Sequence, residues 1–393
     1  MRFVLIALLI LPAWAQLSGS APEALLLARV REKMMDNLTN QPDYTCLETV
    51  ERMRQAPGGG FLMQDTLRLE VALVDSKEMF SWPGAKEFED KDIRELVSSG
   101  MFGNGNYGIY NRMLFLGAGP AFVYHGEVPI NGRPAARYDF QVKATRSGYH
   151  LSVGQHEAVV GFHGSIFADP ATADLRRVEI YADDIPLELG LTSSEDSIDY
   201  VRAWIGDQEF LLPSDSTLRM VTHDSDSRNH VRFSGCRKFS GESSLIFDDA
   251  EIEALSATPV EVREATLPVD VLLPLEIRSE LKLTESAVGD VVTAMLTSDI
   301  RRGREKVAPK GAVAKGRVVQ LDRFASGYVL DIRFTDLEWP GGHATVKAVF
   351  ERPGGLAITM GRNFQVTPDG QMCFASPGPR TLKNLPFFWR TVP

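Results

Sequence analysis

"DYVRAWIGDQEFLLP", residues 199–213, decides the fold class. Tyr200, Arg202 and Trp204 alternate with Val201, Ala203 and Ile205, the two-residue period of a pleated ribbon. Gly206-Asp207 interrupts the alternation, and a second ribbon runs on through Leu212. The stretch therefore predicts a β-hairpin, with Tyr200 and Trp204 on one face and Val201 and Ile205 on the other.

The same period recurs on both sides of this hairpin. "YTCLETVERMRQ" and "LMQDTLRLEVALVD" flank Pro57-Gly58-Gly59-Gly60, and Asn131-Gly132 joins "AFVYHGEV" to "AARYDFQV" as a two-residue turn. "ATADLRRVEIYADD" and "HVRFSGCRKFS" alternate as well. Ahead of them, "PEALLLARVREKMMDNLT" (22–39) carries Leu25, Leu26, Ala28, Val30, Met34, Met35 and Leu38 at roughly helical spacing. Pro22 suits a first helical turn, and Asn40 to Pro42 stop it. A shorter helical segment, "EDKDIRELVSSG" (89–100), interrupts the strands. Residues 16–250 thus read as a helix packed on a curved antiparallel half-barrel of about ten strands.

Residues 251–266 are acidic and poor in aromatics, the composition of a linker. From 267 to 393 the strand-length segments "LEIRSELKL", "VGDVVTAMLT", "AVAKGRVVQLD", "GYVLDIRFTDLEW" and "ATVKAVFE" predict a smaller all-β barrel domain. Its end, "LPFFWRTV", belongs to that core, because a tail would leave Phe387, Phe388 and Trp389 in water. The expected fold is mainly β, of the α+β class.

"MRFVLIALLILPAWA" (1–15) has a positive start, a short apolar run and an Ala-x-Ala end, the form of a cleaved secretory signal. A mature chain starting near Gln16, periplasmic or secreted, follows. No later window is apolar enough for a transmembrane anchor. The formal net charge of −10 argues against a nucleic-acid partner. In an oxidising compartment two of Cys46, Cys236 and Cys373 can pair. Cys46 and Cys236, in the first and last strands of the first domain, are the leading pair; three small buried thiols are the alternative.

Motifs of chemistry are weak. "GNGNYG" (103–108) matches Gly-x-Gly-x-x-Gly but lacks the strand before it and the helix after it, so it reads as a loop and no cofactor is expected. The seven histidines, at 125, 150, 156, 163, 223, 230 and 343, have no metal-ligand spacing. Asp183-Asp184 and "DSDSRN" (224–229) lack the closing glutamate of a calcium loop. Ser165 sits in His-Gly-Ser-Ile, not in a nucleophile elbow. No catalytic or metal site is expected. An enzyme would require several of Asp183, Asp184, His163 and Arg202 to converge in one cleft.

The aromatic residues carry the functional expectation. Phe80, Trp82, Phe122, Tyr124, Tyr138, Phe140, Phe162, Phe167, Tyr200 and Trp204 all fall on predicted strands of the first domain. A curved sheet presenting them on its concave face either packs solid or holds an apolar guest.

The element order resembles the outer-membrane lipoprotein-sorting fold of periplasmic lipoprotein carriers. The resembling stretches are "PEALLLARVREKMMDNLTNQPDYTCLETVER", "FADPATADLRRVEIYADDIP" and "DYVRAWIGDQEFLLPSDSTLRM" running into "NHVRFSGCRKFSGESSLIFDD", within residues 22–250. No residue aligns with the carriers' functional arginine, so the resemblance implies the fold and an apolar concave face, not transport. "VGDVVTAMLTSDI", "VAPKGAVAKGRVVQLD" and "YVLDIRFTDLEWPGG" resemble the outer barrel of conjugation and type IV secretion proteins, which implies an envelope-facing binding module. The whole chain also resembles signal-bearing exported proteins of soil bacteria, a likeness that brings no activity. The expectation is a non-catalytic envelope protein whose first domain binds a lipid or lipoprotein acyl chain. The alternative is a scaffold that docks an envelope protein partner through the second domain.

Overall fold

The computed structural model describes residues 21–56, 59–74, 77–84, 88, 96, 107–117, 119–153, 156–239, 263–324, 326–354, 364–375 and 381–393. The signal segment, residues 103–106 of the glycine-rich loop, residues 251–262 of the expected linker and, but for Leu96, the helical reading of 89–100 lie outside them. Among the described residues no helix is long and apolar enough to cross a membrane.

The first helix, α1 (Pro22–Asn40), begins on a proline, whose missing N–H costs nothing in a first turn. Leu26, Val30 and Met34, four residues apart, form its buried stripe. It stops because Gln41 precedes Pro42 and is held extended.

Eleven strands follow, with one helix among them. They are β1 (Tyr44–Gln55), β2 (Phe61–Val74), β3 (Lys77–Ser81), α2 (Tyr107–Phe115), β4 (Phe122–Ile130), β5 (Arg133–Val142), β6 (Tyr149–Val153), β7 (His156–Ala168), β8 (Leu175–Asp183), β9 (Leu191–Ile205), β10 (Gln208–Thr222) and β11 (Asp226–Lys238). They form one curved antiparallel sheet in the order β3-β2-β1-β11-β10-β9-β8-β7-β5-β4, with β6 also on β7. The predicted turns sit where expected: Asn131 and Gly132 both take positive φ between β4 and β5, and Gly206 does so between β9 and β10. The disulfide Cys46–Cys236 ties β1 to β11.

The register defines one face of this sheet. Leu67, Val50, Val231, Ser216, Ile198, Val178, Ile166 and Tyr138 are successive cross-strand partners from β2 to β5. At the β5 end of the row, Ile198, Val178, Ile166 and Tyr138 pack beneath α1 and α2. At the other end, Leu67, Val50 and Val231 belong to a second core, shared with the C-terminal third of the chain. One face therefore has two covers.

That C-terminal third comprises β12 (Arg263–Glu264), β13 (Leu272–Ile277), β14 (Leu281–Lys282), β15 (Val291–Leu296), β16 (Ile300–Arg302), β17 (Glu305–Ala308), β18 (Val313–Phe324) and β19 (Gly327–Trp339). It continues through β20 (Gly342–Thr345), β21 (Ala348–Pro353), β22 (Gln365–Val366), β23 (Met372–Ala375), β24 (Thr381–Leu382) and β25 (Pro386–Thr391). Ten of these strands form a second sheet, ordered β12-β20-β19-β18-β15-β13-β25-β21, with β23 also on β19 and β22 on β23. Phe387 and Trp389 of β25 are fully buried in its core. Arg263–Glu264, at the end of the stretch read as linker, already pairs with β20.

The two sheets meet along β2. Because β3 covers only Glu70–Val74, the front half of β2 would be an open edge. Val288 closes it: the Arg68 N–H donates to its carbonyl (2.7 Å) and its own N–H donates to Thr66 O (2.8 Å). Gly289 follows at φ +99°, where a Cβ would stand 2.2 Å from Arg68 O and 2.8 Å from the Trp82 ring. Arg68 pairs with Asp290, and the Arg317 guanidinium lies over Trp82 at 5.7 Å.

Candidate functional site

The ten aromatic residues do not form one lining. Tyr138, Phe140, Phe162 and Tyr200 come together, but as packed core beneath the helices. Phe140 and Phe162 meet edge to face at 6.0 Å, Tyr110 of α2 packs on Phe162, and the Tyr138 hydroxyl donates to Glu23 O of α1. Phe122 is half-buried, stacked on Phe115. Phe167 is buried between Arg137 and Arg177 in the register, on the opposite face from Ile166. Phe80 and Trp82 pack against the shared core. Tyr124 is exposed at the sheet edge, and Trp204 is 64% exposed at the tip of the β9–β10 hairpin. The concave face is largely filled by side chains.

Of the residues weighed for catalysis, His163 and Asp183 meet, while Arg202 is engaged elsewhere. His163 Nδ1 lies 2.6 Å from Asp183 Oδ1 at the surface, its ring stacked on Tyr181. Arg202 is bonded to Asp174, which also accepts from Lys33; these bonds hold the Asp174 carboxyl at about 2. Asp184 takes positive φ in a turn. The Ser165 hydroxyl donates to Asp139 (2.7 Å), and His125 Nε2 lies 3.3 Å from the same carboxylate. With the carboxylate between serine and histidine, the imidazole does not take the hydroxyl proton, so this is not a nucleophile–base pair. Among the described residues no group of three or more His, Cys, Asp or Glu could hold a metal.

A cleft remains where the two covers of the concave face part. The C-terminal turn of α1 (Asn37, Leu38, Gln41) and the start of α2 (Gly108, Asn111, Arg112) form one side. The strands form the other: Tyr44, Cys46 and Glu48 from β1, Val71 and Leu73 from β2, Glu78 and Phe80 from β3, Leu211 to Pro213 from β10, and Phe233 from β11. The Asn37 carboxamide clips α1 to β10, donating to Leu211 O (3.0 Å) and accepting from its N–H (2.7 Å). The space left measures about 40 Å³. That is room for roughly three waters, against several hundred cubic ångströms in sites that enclose a drug-sized ligand.

Sequence reasoning missed the polar groups in this cleft. Glu48 is 1% exposed, its Oε2 has no hydrogen-bond partner, and burial pushes its carboxyl up to about 8. Burial pushes Glu78 up to about 8 as well; the Gly108 N–H, 3.4 Å away, works against that shift and the nearby Glu48 adds to it. Burial, with Glu78 alongside, also raises the Tyr44 phenol. The Tyr200 phenol, likewise raised by burial, donates to Asn111 Oδ1 (3.1 Å). Asp196, on the same face of β9, is pushed up to about 7 by burial. Burial thus biases Glu48 and Glu78 towards the protonated form, in a cleft whose lining also includes Asn37, Gln41, Asn111 and Arg112.

No protein-family model matches the chain, and no curated protein matches it. Among solved structures it is similar to a domain named as an outer membrane lipoprotein-sorting protein, from Vibrio parahaemolyticus: 12% identity, 56% of this chain, 94% of that one, TM-score 0.29. It is also similar to a DUF1329 family protein from Desulfovibrio piger (11%, 56% and 95%, TM-score 0.31). A third is a LolA superfamily protein from Nitrosomonas europaea (8%, 54% and 93%, TM-score 0.28).

Proposed function

We propose that this is an exported, non-catalytic envelope protein that binds the apolar part of a lipid or acylated molecule in the cleft between α1, α2 and β1–β3. The export reading comes from residues 1–15. The observation that carries the binding reading is the cleft itself, walled by Leu38, Val71, Leu73, Phe80, Leu211 and Phe233. The rest of the concave face is packed core and is not part of the site. Each methylene taken into such a cleft gains about 0.8 kcal/mol. A chain longer than a few carbons exceeds the room present, so uptake lifts the end of α1 from β10 by breaking the Asn37 clip.

The test is uptake of a fluorescent fatty acid by the mature protein, with mass spectrometry of lipid carried through purification. Uptake that is lost in Leu73→Arg and strengthened in Asn37→Ala supports the reading. No lipid in the spectrum and no uptake by either protein sinks it.

A second reading, a scaffold docking an envelope partner, is favoured by the packing of most of the concave face beneath the helices and the second sheet. It predicts specific protein cross-links and no uptake.

A further inference from the structure

The cleft lies where the first sheet parts. Strands β10 and β11 pair only between Asp215–Arg232 and Val221–Asp226. Both run on past Asp215 and Arg232, β10 back to Gln208 and β11 out to Lys238. Leu211 to Pro213 and Phe233, from these extensions, stand in the cleft wall. Among the described residues, β9 is the only strand that pairs with residues 208–213 of β10. The second edge of that stretch is open.

An open edge presents backbone donors and acceptors that another strand can bond. At Leu211, which is buried, a side chain fills that role. The Leu211 N–H donates to Asn37 Oδ1 (2.7 Å) and its C=O accepts from Asn37 Nδ2 (3.0 Å), so both groups point away from β9. A carboxamide carries the donor and the acceptor of a peptide unit, and Asn37 thus occupies the place of one unit of a missing strand. Glu209 and Pro213 face the same edge by alternation, and Pro213 has no N–H to leave unpaired there. Lifting α1 to open the cleft breaks both bonds. Leu211 is then left with a buried N–H and C=O, groups that proteins almost always keep paired. A hydrocarbon tail can bond neither. An extended polypeptide bonds both at once, and its alternate side chains meet apolar walls such as Leu38, Val71 and Phe233.

We propose that the cleft takes an extended peptide, added as a strand to the open edge of β10 in place of Asn37. The inference rests on the opening of the cleft in the reading above and names the kind of molecule that carries the apolar part: a polypeptide, held by its main chain at Leu211.

The test is fluorescence anisotropy on the mature protein with a fluorescein-labelled heptapeptide of alternating valine and threonine, and with the same peptide N-methylated at every residue. The first is expected to bind at least about tenfold tighter, because the second keeps the side chains and loses the backbone donors. Asn37→Ala removes the competing carboxamide and should tighten binding of the first peptide by about threefold or more. In that variant the Leu211 amide should exchange with solvent quickly when the protein is free and at least about tenfold more slowly with the peptide bound. The comparison of the two peptides on wild type stands even if the variant folds poorly. Equal binding of the two peptides, binding of neither, or a Leu211 amide that stays fast in the complex overturns the strand inference. Uptake of a fluorescent fatty acid in that case leaves the cleft reading intact. If neither peptide nor fatty acid is taken up, both fall.

Discussion

Glu48 is held in the folded chain with a carboxyl pushed up to about 8, against 4.5 for an ordinary glutamate. A raised carboxyl means that the folded state binds the proton more tightly than the unfolded one. Its contribution to stability is therefore fully present below pH 4.5 and declines as pH rises towards 8, by about 1.4 kcal/mol per pH unit. Glu48→Gln cannot ionise and escapes that decline. The melting temperature of the variant should equal or fall slightly below wild type at pH 5 and exceed it at pH 8. A constant difference across that range would mean that Glu48 is charged throughout. Nothing in "YTCLETVERMRQ" marks this residue. Hydrophobicity alone points Leu47 inward and Glu48 outward, yet the buried residues of β1 are Thr45, Cys46, Glu48, Val50 and Arg52, the last four on one face. The order is reversed because Glu48 faces α2 and β3, and Arg52 meets Asp65 across the sheet, contacts that sequence does not reveal. The aromatic residues erred in the other direction. All but Trp82, which follows β3, were legible as strand residues, but the alternation does not say which of them the helices cover.

At the level of elements, α1 was legible from its stripe and the β4–β5 and β9–β10 hairpins from their turn residues, since each rests on local conformational preference. The closing of the β2 edge by Val288 was not legible, because it joins positions more than 200 residues apart through backbone atoms alone. Gly289 is the most sensitive point of that junction. Gly289→Ala would force a Cβ into Arg68 O and the Trp82 ring and would add the strain of a positive φ. A loss of roughly 3 kcal/mol or more is expected in denaturant titration. Gly303→Ala is the control, because Gly303 also has positive φ but no atom within 4 Å of the added Cβ. It should cost about 1 kcal/mol. Equal losses at the two positions would show that backbone strain, not the contact with β2, sets the cost.

At the scale of the molecule, the composition of residues 251–266 predicts two independent units, whereas the packing argues for mechanical unity. Val50, Leu67, Leu69, Phe80 and Val231 of the first sheet share one core with Leu283, Val288, Val318 and Leu321 of the C-terminal third. A hydrophobic core cut in half exposes apolar surface on both pieces, so neither half retains its full stability once the contact is lost. Leu67 is the test position: it is fully buried, its strand carries the backbone bonds to Val288, and it lies outside the cleft. Leu67→Ala should cost about 3 kcal/mol. Hydrogen exchange should then quicken in β1 and β2 and equally in β15 and β18, within one calorimetric transition. Quickening confined to β1 and β2, with a second transition left at its original temperature, would mean that the halves fold apart and that the shared core contributes little to either.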